Sequence, residues 1–197
     1  MKKYYYDTNA FWQFFIKCFI NKNKTSGEMK KLNPLNIDQN IVRTTAPWTL
    51  DEFFHNYIKS KKREIRNNNL FPFFDHSDIL KKTESVTRTK EFLALFKQES
   101  IDTRELNDVF FDLFLHARNN DILSLKPRDK KIHSKDLLHL SYALNTRCNM
   151  IITCDGGFSL LKEIREIKDM ISFFKLKRIL ILDGHIKKIN EKIDFSP

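Results

Sequence analysis

Acidic side chains stand at four positions where the sequence predicts that a strand ends or a helix begins. These residues are Asp7, Glu52, Asp136 and Asp155. Chemistry in open α/β folds collects in the crevice beyond the carboxyl ends of the strands, so three of these positions would converge if the strands are parallel neighbours. Carboxylates held close together raise one another's pKa and destabilise the fold. An acidic cluster of this kind therefore requires a counter-charge.

A hard divalent cation is the counter-charge that best suits such a cluster. Mg²⁺ or Mn²⁺ prefers carboxylate and water oxygens over imidazole nitrogen or thiol sulfur. Held by several carboxylates with water positions open, the ion can lower the pKa of a bound water and stabilise charge on a phosphodiester oxygen. The four acids together therefore predict a site for phosphoryl-transfer chemistry.

Each acid taken singly also has a purely structural interpretation. Asp7 and Asp155 are of a residue type favoured at helix N-caps. Glu52 is spaced as the capping-box partner of Thr49, and Asp136 falls in a first helical turn, where the helix dipole favours an acid. The set is more informative than its members, and at the level of spacing both interpretations stay open.

Short apolar runs alternate with helical patterns along the chain. The runs predict strands at 2–6, 41–46, 150–153 and 179–182, and the periodic segments predict helices at 8–19, 50–66, 76–98, 102–118, 134–146 and 156–167. Loops are predicted at 21–40, 67–75 and 119–133. This order is typical of an α/β fold with a short, mainly parallel central sheet flanked by helices. Because the chain has 197 residues, we expect a single domain over residues 1–197.

Composition excludes several other classes of protein. Only four Gly and five Pro argue against an all-β fold with many tight turns. No apolar run approaches the roughly 18–20 residues that span a bilayer, and Asp7 falls where a signal peptide needs its apolar segment. We therefore expect a cytoplasmic protein without a membrane segment. Cys18, Cys148 and Cys154 are odd in number and form no C-x-x-C pair, which argues against a disulfide framework or a zinc site.

The chain is strongly basic, with 35 Lys and Arg against 25 Asp and Glu and a formal net charge of +10. Such a balance favours a polyanionic partner, nucleic acid first, although a Lys-rich solvated surface gives the same balance. Two basic clusters adjoin the acid-bearing helices, where they would bind phosphates on either side of a metal. They comprise Lys59, Lys61, Lys62, Arg63 and Arg66, and Lys126, Arg128, Lys130, Lys131 and Lys135.

Four segments of the chain resemble, in order, the motifs of the PIN-domain nucleases. Residues 6–11 (YDTNAF) resemble the strand-end D-T-N-x-φ motif, and residues 49–53 (TLDEF) resemble the T-L-x-E-φ that begins the second helix of that family. Residues 136–143 (DLLHLSYA) resemble its D-x-x-H-x-x-x-A helix, and residues 151–158 (IITCDGGF) match its φ-φ-T-x-D-x-x-F strand and turn. Each segment follows the strand or helix that the family places before it.

The resemblance implies a PIN-like three-layer sandwich with a helical insertion at about 67–118. It implies a nuclease, most often an endoribonuclease, that depends on Mg²⁺ or Mn²⁺ and uses Asp7, Glu52, Asp136 and Asp155 as its acidic cluster. Metal ligation would fall to the three aspartates, while Glu52 would position a water or act as base. Asn9 and Thr153 would orient the acids, and the two basic clusters would bind RNA. Gly156 and Gly157 stand where many relatives carry a further acid, so the number of metal ions that the site would hold, one or two, stays open.

The commonest bacterial role that the resemblance implies for a small stand-alone chain is a VapC-like toxin of a toxin–antitoxin pair, neutralised by an antitoxin protein. The alternatives are a non-catalytic RNA-binding or scaffold module, a DNA nuclease acting on flaps or ends, and an antiphage effector. A helical stripe of Phe110, Phe111, Phe114 and Leu115 predicts core packing or the interface of a homodimer. For His139, on nearly the same helix face as Asp136, the alternatives are a hydrogen bond within the site and a packing or capping role, of which the second is favoured.

Overall fold

A computed structural model of the chain describes residues 1–20, 41–53, 92–124, 131–183 and 189–195. The described residues form eight strands. They are β1 (Lys2–Tyr6), β2 (Ile41–Thr44), β3 (Phe96–Lys97), β4 (Leu123–Ser124), β5 (Ile132–His133), β6 (Met150–Thr153), β7 (Arg178–Leu182) and β8 (Ile189–Asp194). The main sheet has the order β3-β2-β1-β6-β7-β8, and β4 and β5 form a separate pair. Only β8 runs antiparallel to its neighbour in this part of the chain.

Helices follow the strands, as parallel pairing requires. They are α1 (Thr8–Ile20), α2 (residues 47–53 of the described chain), α3 (Thr103–Asn119), α4 (Ser134–Asn145), a 3₁₀ helix (Gly156–Glu163) and α5 (Arg165–Phe173). None of the helices in the described part of the chain has the length and hydrophobicity that a membrane crossing requires.

Side chains of the central strands are buried on both faces of the sheet. Successive strand residues point to opposite faces, so Tyr5 packs with residues of α3, α4 and α5, whereas Tyr4 and Tyr6 pack with the phenylalanines of α1. In β6, Ile151 and Ile152 divide between the same two clusters. Helices therefore cover both faces, and the predicted α/β class with a mainly parallel central sheet is confirmed.

Several predicted elements match the structure to within about one residue. The strand predictions at 2–6, 150–153 and 179–182 correspond to β1, β6 and β7, and the helices at 8–19 and 102–118 correspond to α1 and α3. The second strand ends at Thr44, two residues before its predicted end. The loops predicted at 21–40 and 67–75 lie outside the described residues.

The predicted start of the second helix was wrong. Residues 47–53 are helical, and the Thr49 N–H donates to the Ala46 carbonyl at 3.0 Å. Thr49 therefore lies inside the first turn and is not the N-cap, so Glu52 is not a capping-box partner. The reason is Pro47, whose fixed φ suits the first turn of a helix, so that α2 begins three residues earlier than predicted.

The helix predicted at 76–98 does not reach residue 98. Phe96 and Lys97 instead form β3, which pairs in parallel with Arg43 and Thr44 of β2. The Thr45 N–H donates to the Lys97 carbonyl at 3.1 Å, which continues that pairing. A short apolar run fits the periodicity of a helix and that of a strand equally well. Here residues 96 and 97 form a strand because they pair with the edge of β2. Residues 76–91 of the predicted helix lie outside the described residues.

Three further boundaries were wrong. The predicted loop at 119–133 contains β4 and β5, and the helix after it is capped by His133 instead of Ser134. The helix predicted at 156–167 is interrupted at Ile164, whose extended backbone (φ −103°, ψ 113°) separates the 3₁₀ helix from α5. Finally, β7 is not the last strand, because β8 follows it at the edge of the sheet, where most of its side chains are exposed.

The aromatic stripe predicted for core or interface is divided between the core and the exposed surface of α3, and the interface stays a prediction. Phe110 and Phe114 pack against the core, whereas Phe111 and Leu115 are 58% and 49% exposed. The helix is held to the core by Val109, the fully buried Leu113 and Ala117, which recur at four-residue spacing.

Candidate functional site

Asp7 lies at the carboxyl end of β1, in the centre of the sheet. Its N–H donates to the Ile152 carbonyl at 3.1 Å, which extends the pairing of β1 with β6 by one residue. Its Oδ1 accepts the Ala10 N–H at 2.8 Å, and its carbonyl accepts the Phe11 N–H, so the residue also caps α1. The side chain is only 3% exposed. The capping interpretation therefore holds for Asp7, and it leaves Oδ2 for other contacts.

Thr153 connects Asp7 with Asp155. It ends β6, is fully buried, and its hydroxyl donates to Asp7 Oδ2. The hydroxyl oxygen of Thr153 also accepts the Asp155 N–H at 2.9 Å. Asp155 in turn caps the 3₁₀ helix through its Oδ1, which accepts the Gly157 N–H at 2.7 Å. Because β1 and β6 run in parallel, both aspartates lie at the same edge of the sheet.

Gly157 permits a close approach that brings this turn against β5. A Cβ atom at this position would lie 2.9 Å from the Lys131 carbonyl oxygen and 3.1 Å from Ile132 Cα. Any larger residue would push the 3₁₀ helix away from the strand that leads into α4. Gly156 has no atom within 4 Å of the corresponding position. The two adjacent glycines therefore differ in how strictly the fold requires them.

Asp136 begins the third side of the site, in the first turn of α4. Its Oδ2 accepts the His133 N–H at 2.9 Å, which anchors the carboxylate to the end of β5. Burial, and next the charge of Asp155, raise the pKa of Asp136 to about 6, and Asp7 adds to the rise. Burial likewise raises the pKa of Asp7 to about 6, with a further contribution from Asp155. Three carboxylates therefore lie near enough to repel one another.

Glu52 on α2 has the opposite electrostatic character. Its Oε2 accepts the Thr8 hydroxyl and lies 3.6 Å from His139 Nε2, and its Oε1 accepts Lys135 Nζ at 2.9 Å. Contacts with His139, then Thr8 and Lys135, hold the pKa of Glu52 at about 2 despite partial burial. Glu52 is thus an ionised carboxylate tied to residues next to Asp7 and Asp136.

The carboxylates do not form a closed coordination set. Among the described residues, no group of three or more His, Cys, Asp or Glu side chains is close enough together to hold a metal ion. Asp7, Asp136 and Asp155 place carboxylate oxygens, which are hard donors, close enough at one edge of the sheet to repel one another. The ionised carboxylate of Glu52 lies beside them. Carboxylate oxygens are ligands that Mg²⁺ prefers, and that ion usually keeps several waters when it binds to a protein.

Other predicted site residues are less tied to the acids. Asn9 is exposed in α1 and forms no side-chain hydrogen bond with the described part of the chain, so its orienting role stays a prediction. Lys131 pairs with Asp121 at 2.9 Å. The remaining predicted RNA-binding residues lie outside the described residues: Lys59, Lys61, Lys62, Arg63, Arg66, Arg128 and Lys130.

Sequence reasoning missed the residues that hold Glu52. Thr8 was not singled out, although it directly follows Asp7, and Lys135 was expected to bind phosphate, whereas here it pairs with Glu52. His139 was assigned to packing or capping, yet its ring contacts Tyr5, Trp48 and Thr8 and faces Glu52. The spacing of His139 one turn after Asp136 was the only signal in the sequence.

Comparisons with known proteins identify a distant similarity of structure. No protein-family model and no curated protein matches the sequence of this chain. Among solved structures, the crystal structure of VapBC2 from Rickettsia felis, bound to a DNA fragment from their promoter, matches with a TM-score of 0.47 and 17% identity. That match covers 83% of this chain and 93% of the other. The function of this chain must therefore be argued from its own residues.

Proposed function

We propose that this chain is a nuclease that depends on Mg²⁺ or Mn²⁺ and hydrolyses RNA phosphodiester bonds internally. The observation that carries the proposal is the placement of three carboxylates where parallel strands end: Thr153 joins Asp7 to Asp155, and the His133 N–H anchors Asp136 at the start of α4. The charges of Asp155 and Asp7 add to the effect of burial on the pKa of Asp136, and a cation would relieve that repulsion. The four segments that resemble PIN-domain nucleases support the same chemistry, since they contain these three aspartates and Glu52.

The donor set fits a hard divalent cation. Asp7, Asp136 and Asp155 would hold it, because carboxylate oxygens are the ligands that Mg²⁺ and Mn²⁺ prefer. When bound, the cation would supply an activated water and neutralise charge on the phosphodiester. Thr153 would keep Asp7 and Asp155 in fixed orientations through its bridging hydroxyl. The backbone of His133 would do the same for Asp136.

Glu52 would orient the attacking water through its carboxylate oxygens. A general base works best when its pKa lies near the working pH, and the pKa of Glu52 at about 2 is far below that. An ionised carboxylate with a fixed direction instead accepts a hydrogen bond from water and aligns it. Of the two roles expected for Glu52, the electrostatics therefore favour positioning over proton abstraction.

RNA is the substrate that the motif resemblance favours, and the net charge of +10 supports a nucleic-acid partner. Lys135 is 75% exposed beside Asp136, where its ammonium could exchange Glu52 for a phosphate oxygen. The finer proposal is a VapC-like toxin that an antitoxin protein neutralises. Its test is growth arrest on expression of the wild-type chain and normal growth with Asp155→Asn.

Cleavage of labelled RNA by wild type and Asp155→Asn tests the proposed function. We expect cutting in Mg²⁺ or Mn²⁺, none in chelator, and a loss of at least about 100-fold in the variant. Asp51→Asn is the matched control, because it removes the same charge from an exposed position next to Glu52. DNA of the same sequence should be cut more slowly.

Three outcomes would contradict the proposal. Undiminished cutting by Asp155→Asn would refute the site. RNA binding without cutting by the wild type would indicate the scaffold module, and faster cutting of DNA would indicate the flap or end nuclease.

A further inference from the structure

His139 occupies a buried position between two groups of polar side chains. It lies on α4 and is 4% exposed. On one side of the ring, Nδ1 contacts the Tyr5 hydroxyl and lies 3.3 Å from Trp48 Nε1. On the other side, Nε2 lies 3.4 Å from Thr8 Oγ1 and 3.6 Å from Glu52 Oε2. The imidazole therefore lies between two side chains of α2, with Nδ1 facing the Trp48 indole and Nε2 facing the Glu52 carboxylate.

Trp48 determines which nitrogen of His139 carries the proton. The indole Nε1 has one hydrogen and no lone pair for hydrogen bonding, so it can only donate. The nitrogen that it faces, Nδ1, must therefore be bare. The Tyr5 hydroxyl can donate or accept, and with Nδ1 bare it donates and shares the single lone pair with the indole N–H. The Trp48 contact therefore requires that the proton of the neutral imidazole is on Nε2, and the Tyr5 contact allows it.

The proton on Nε2 gives every later contact a consistent direction. Nε2–H donates toward Thr8 Oγ1, and the Thr8 hydroxyl donates to Glu52 Oε2. An ionised carboxylate only accepts, so the sequence of donors ends at Glu52. In the other tautomer, Nδ1–H would face the indole N–H, and the lone pair of Nε2 would face the carboxylate. Both of those contacts would be repulsive.

We propose that Trp48 and His139 are positioning residues, which fix the tautomer of the imidazole and thereby the direction of the Glu52 carboxylate. This inference rests on the proposed function, in which Glu52 orients the attacking water. The third contact of Glu52, with Lys135, is formed by a largely exposed ammonium and contributes less. Thr8 and His139, which are buried, therefore hold the Glu52 carboxylate in place, and Trp48 acts on it through His139 without a hydrogen bond to Glu52 in the described residues.

Nitrogen-15 NMR of the histidine side chains tests the direction of these contacts without any nuclease assay. The His139 signal is assigned by its loss in His139→Gln. We expect the wild-type chain to carry the proton on Nε2, and Trp48→Phe, which keeps an aromatic ring but removes the N–H, to populate both tautomers. Trp12→Phe is the matched control, because Trp12 packs against Phe15 and Phe53 instead. A proton on Nδ1 in the wild type would overturn the proposal.

Cleavage kinetics test the positioning role itself. We expect Trp48→Phe and His139→Asn each to lower kcat by about 10–100-fold, with KM and Mn²⁺ affinity within about twofold of wild type. Asn places its amide near Nδ1 and cannot reach Glu52, whereas Gln places an N–H near Nε2, so His139→Gln should recover part of the loss. Trp12→Phe should leave kcat unchanged.

The two experiments separate failure of this inference from failure of the proposed function. If Glu52→Gln abolishes cleavage while Trp48→Phe and His139→Asn keep kcat within about twofold of wild type, the positioning role is wrong and the nuclease stands. If the wild type cuts no RNA, the proposed function fails, and the positioning role that rests on it fails as well. If His139→Asn does not fold, Trp48→Phe alone decides.

Discussion

Replacing Asp7 with asparagine should stabilise the metal-free protein at neutral pH. The carboxylate is buried at the end of β1 and repelled by Asp155, and its pKa rises from 3.8 to about 6. Asparagine has the same shape and no charge. Its Oδ1 can still accept the Ala10 N–H that caps α1. The substitution therefore removes the repulsion while it preserves the helix start.

The size of the effect follows from the displaced pKa. At about 1.4 kcal/mol for each pKa unit, a rise from 3.8 to about 6 corresponds to about 3 kcal/mol of lost stability once the carboxyl is ionised in both states. The Thr153 hydroxyl loses its acceptor in the variant, which costs about 1 kcal/mol. The expected net gain is about 2 kcal/mol at pH 7.5.

The sign of the effect depends on pH. Below pH 3.8 the carboxyl is protonated in the folded and the unfolded chain, so its ionisation costs nothing. Between pH 3.8 and about 6 only the unfolded chain releases the proton, and the cost to the wild type grows. Above about pH 6 the cost is complete. Asp7→Asn should therefore gain stability relative to wild type as the pH rises through this window.

Urea denaturation in chelator at pH 4 and pH 7.5, followed by circular dichroism, measures the difference. Asp102→Asn is the matched control, because Asp102 caps α3 through the Arg104 N–H in an exposed position. Asn and Asp are equivalent caps, so the control should change by less than about 0.5 kcal/mol at either pH. Equal destabilisation by Asp7→Asn at both pH values would refute the reasoning, since Asp7 would then be a cap and nothing more.

Mg²⁺ should reduce the stability advantage of Asp7→Asn over the wild type. A ligand that binds only the folded state at about 100 times its Kd adds about 2.7 kcal/mol. The wild type should gain this stabilisation, and Asp7→Asn should gain less because it lacks one proposed ligand. Equal stabilisation of both proteins would exclude Asp7 from the metal site.

The remaining predictions concern other parts of the site and the surface of α3. Glu52→Gln should lower the free energy of unfolding by about 2 kcal/mol at pH 7. The depressed pKa of Glu52 contributes stability above pH 4.5, and this contribution disappears as the pH falls toward 2. Urea denaturation at pH 7 and pH 3 measures the difference. Gly157→Ala should cost about 1–3 kcal/mol in thermal unfolding, since its Cβ would collide with the Lys131 carbonyl, whereas Gly156→Ala should cost less than about 1 kcal/mol. If α3 forms a homodimer, Phe111→Ser should yield a monomer in sedimentation velocity, and an unchanged sedimentation coefficient would remove this helix from the interface.

The sequence predicts the centre of this fold better than its edges. Residues 4–6, 150–153 and 179–182 form short runs of buried, mainly apolar side chains because helices cover both faces of the sheet. By contrast, β8 reads INEKID, a polar edge strand whose pairing depends on β7. Two residues suffice for β3, which is too short for any periodicity to identify.

The acids of the site were predictable, and the residues that define their state were not. Asp7 and Asp155 each follow a strand, so topology alone brings them to one edge. The network around Glu52 joins Thr8, Trp48 and His139 across separations of up to 131 residues, and no local pattern encodes such contacts. Contacts with His139 and Thr8 in this network lower the pKa of Glu52, so the electrostatic difference between Glu52 and Asp7 or Asp136 becomes visible only in three dimensions.

The two separate contacts of the Asp7 carboxylate, one with each oxygen, have a consequence for how this chain can evolve. The residue caps α1 through one oxygen and holds Thr153 with the other, and asparagine preserves the first of these contacts. A single nucleotide change converts an Asp codon into an Asn codon. A descendant with that change would keep its fold, gain stability in the absence of metal and retain its basic surface. Loss of the proposed catalysis would therefore be an accessible step with little cost to the fold, so that a folded, inactive descendant could arise by a single substitution.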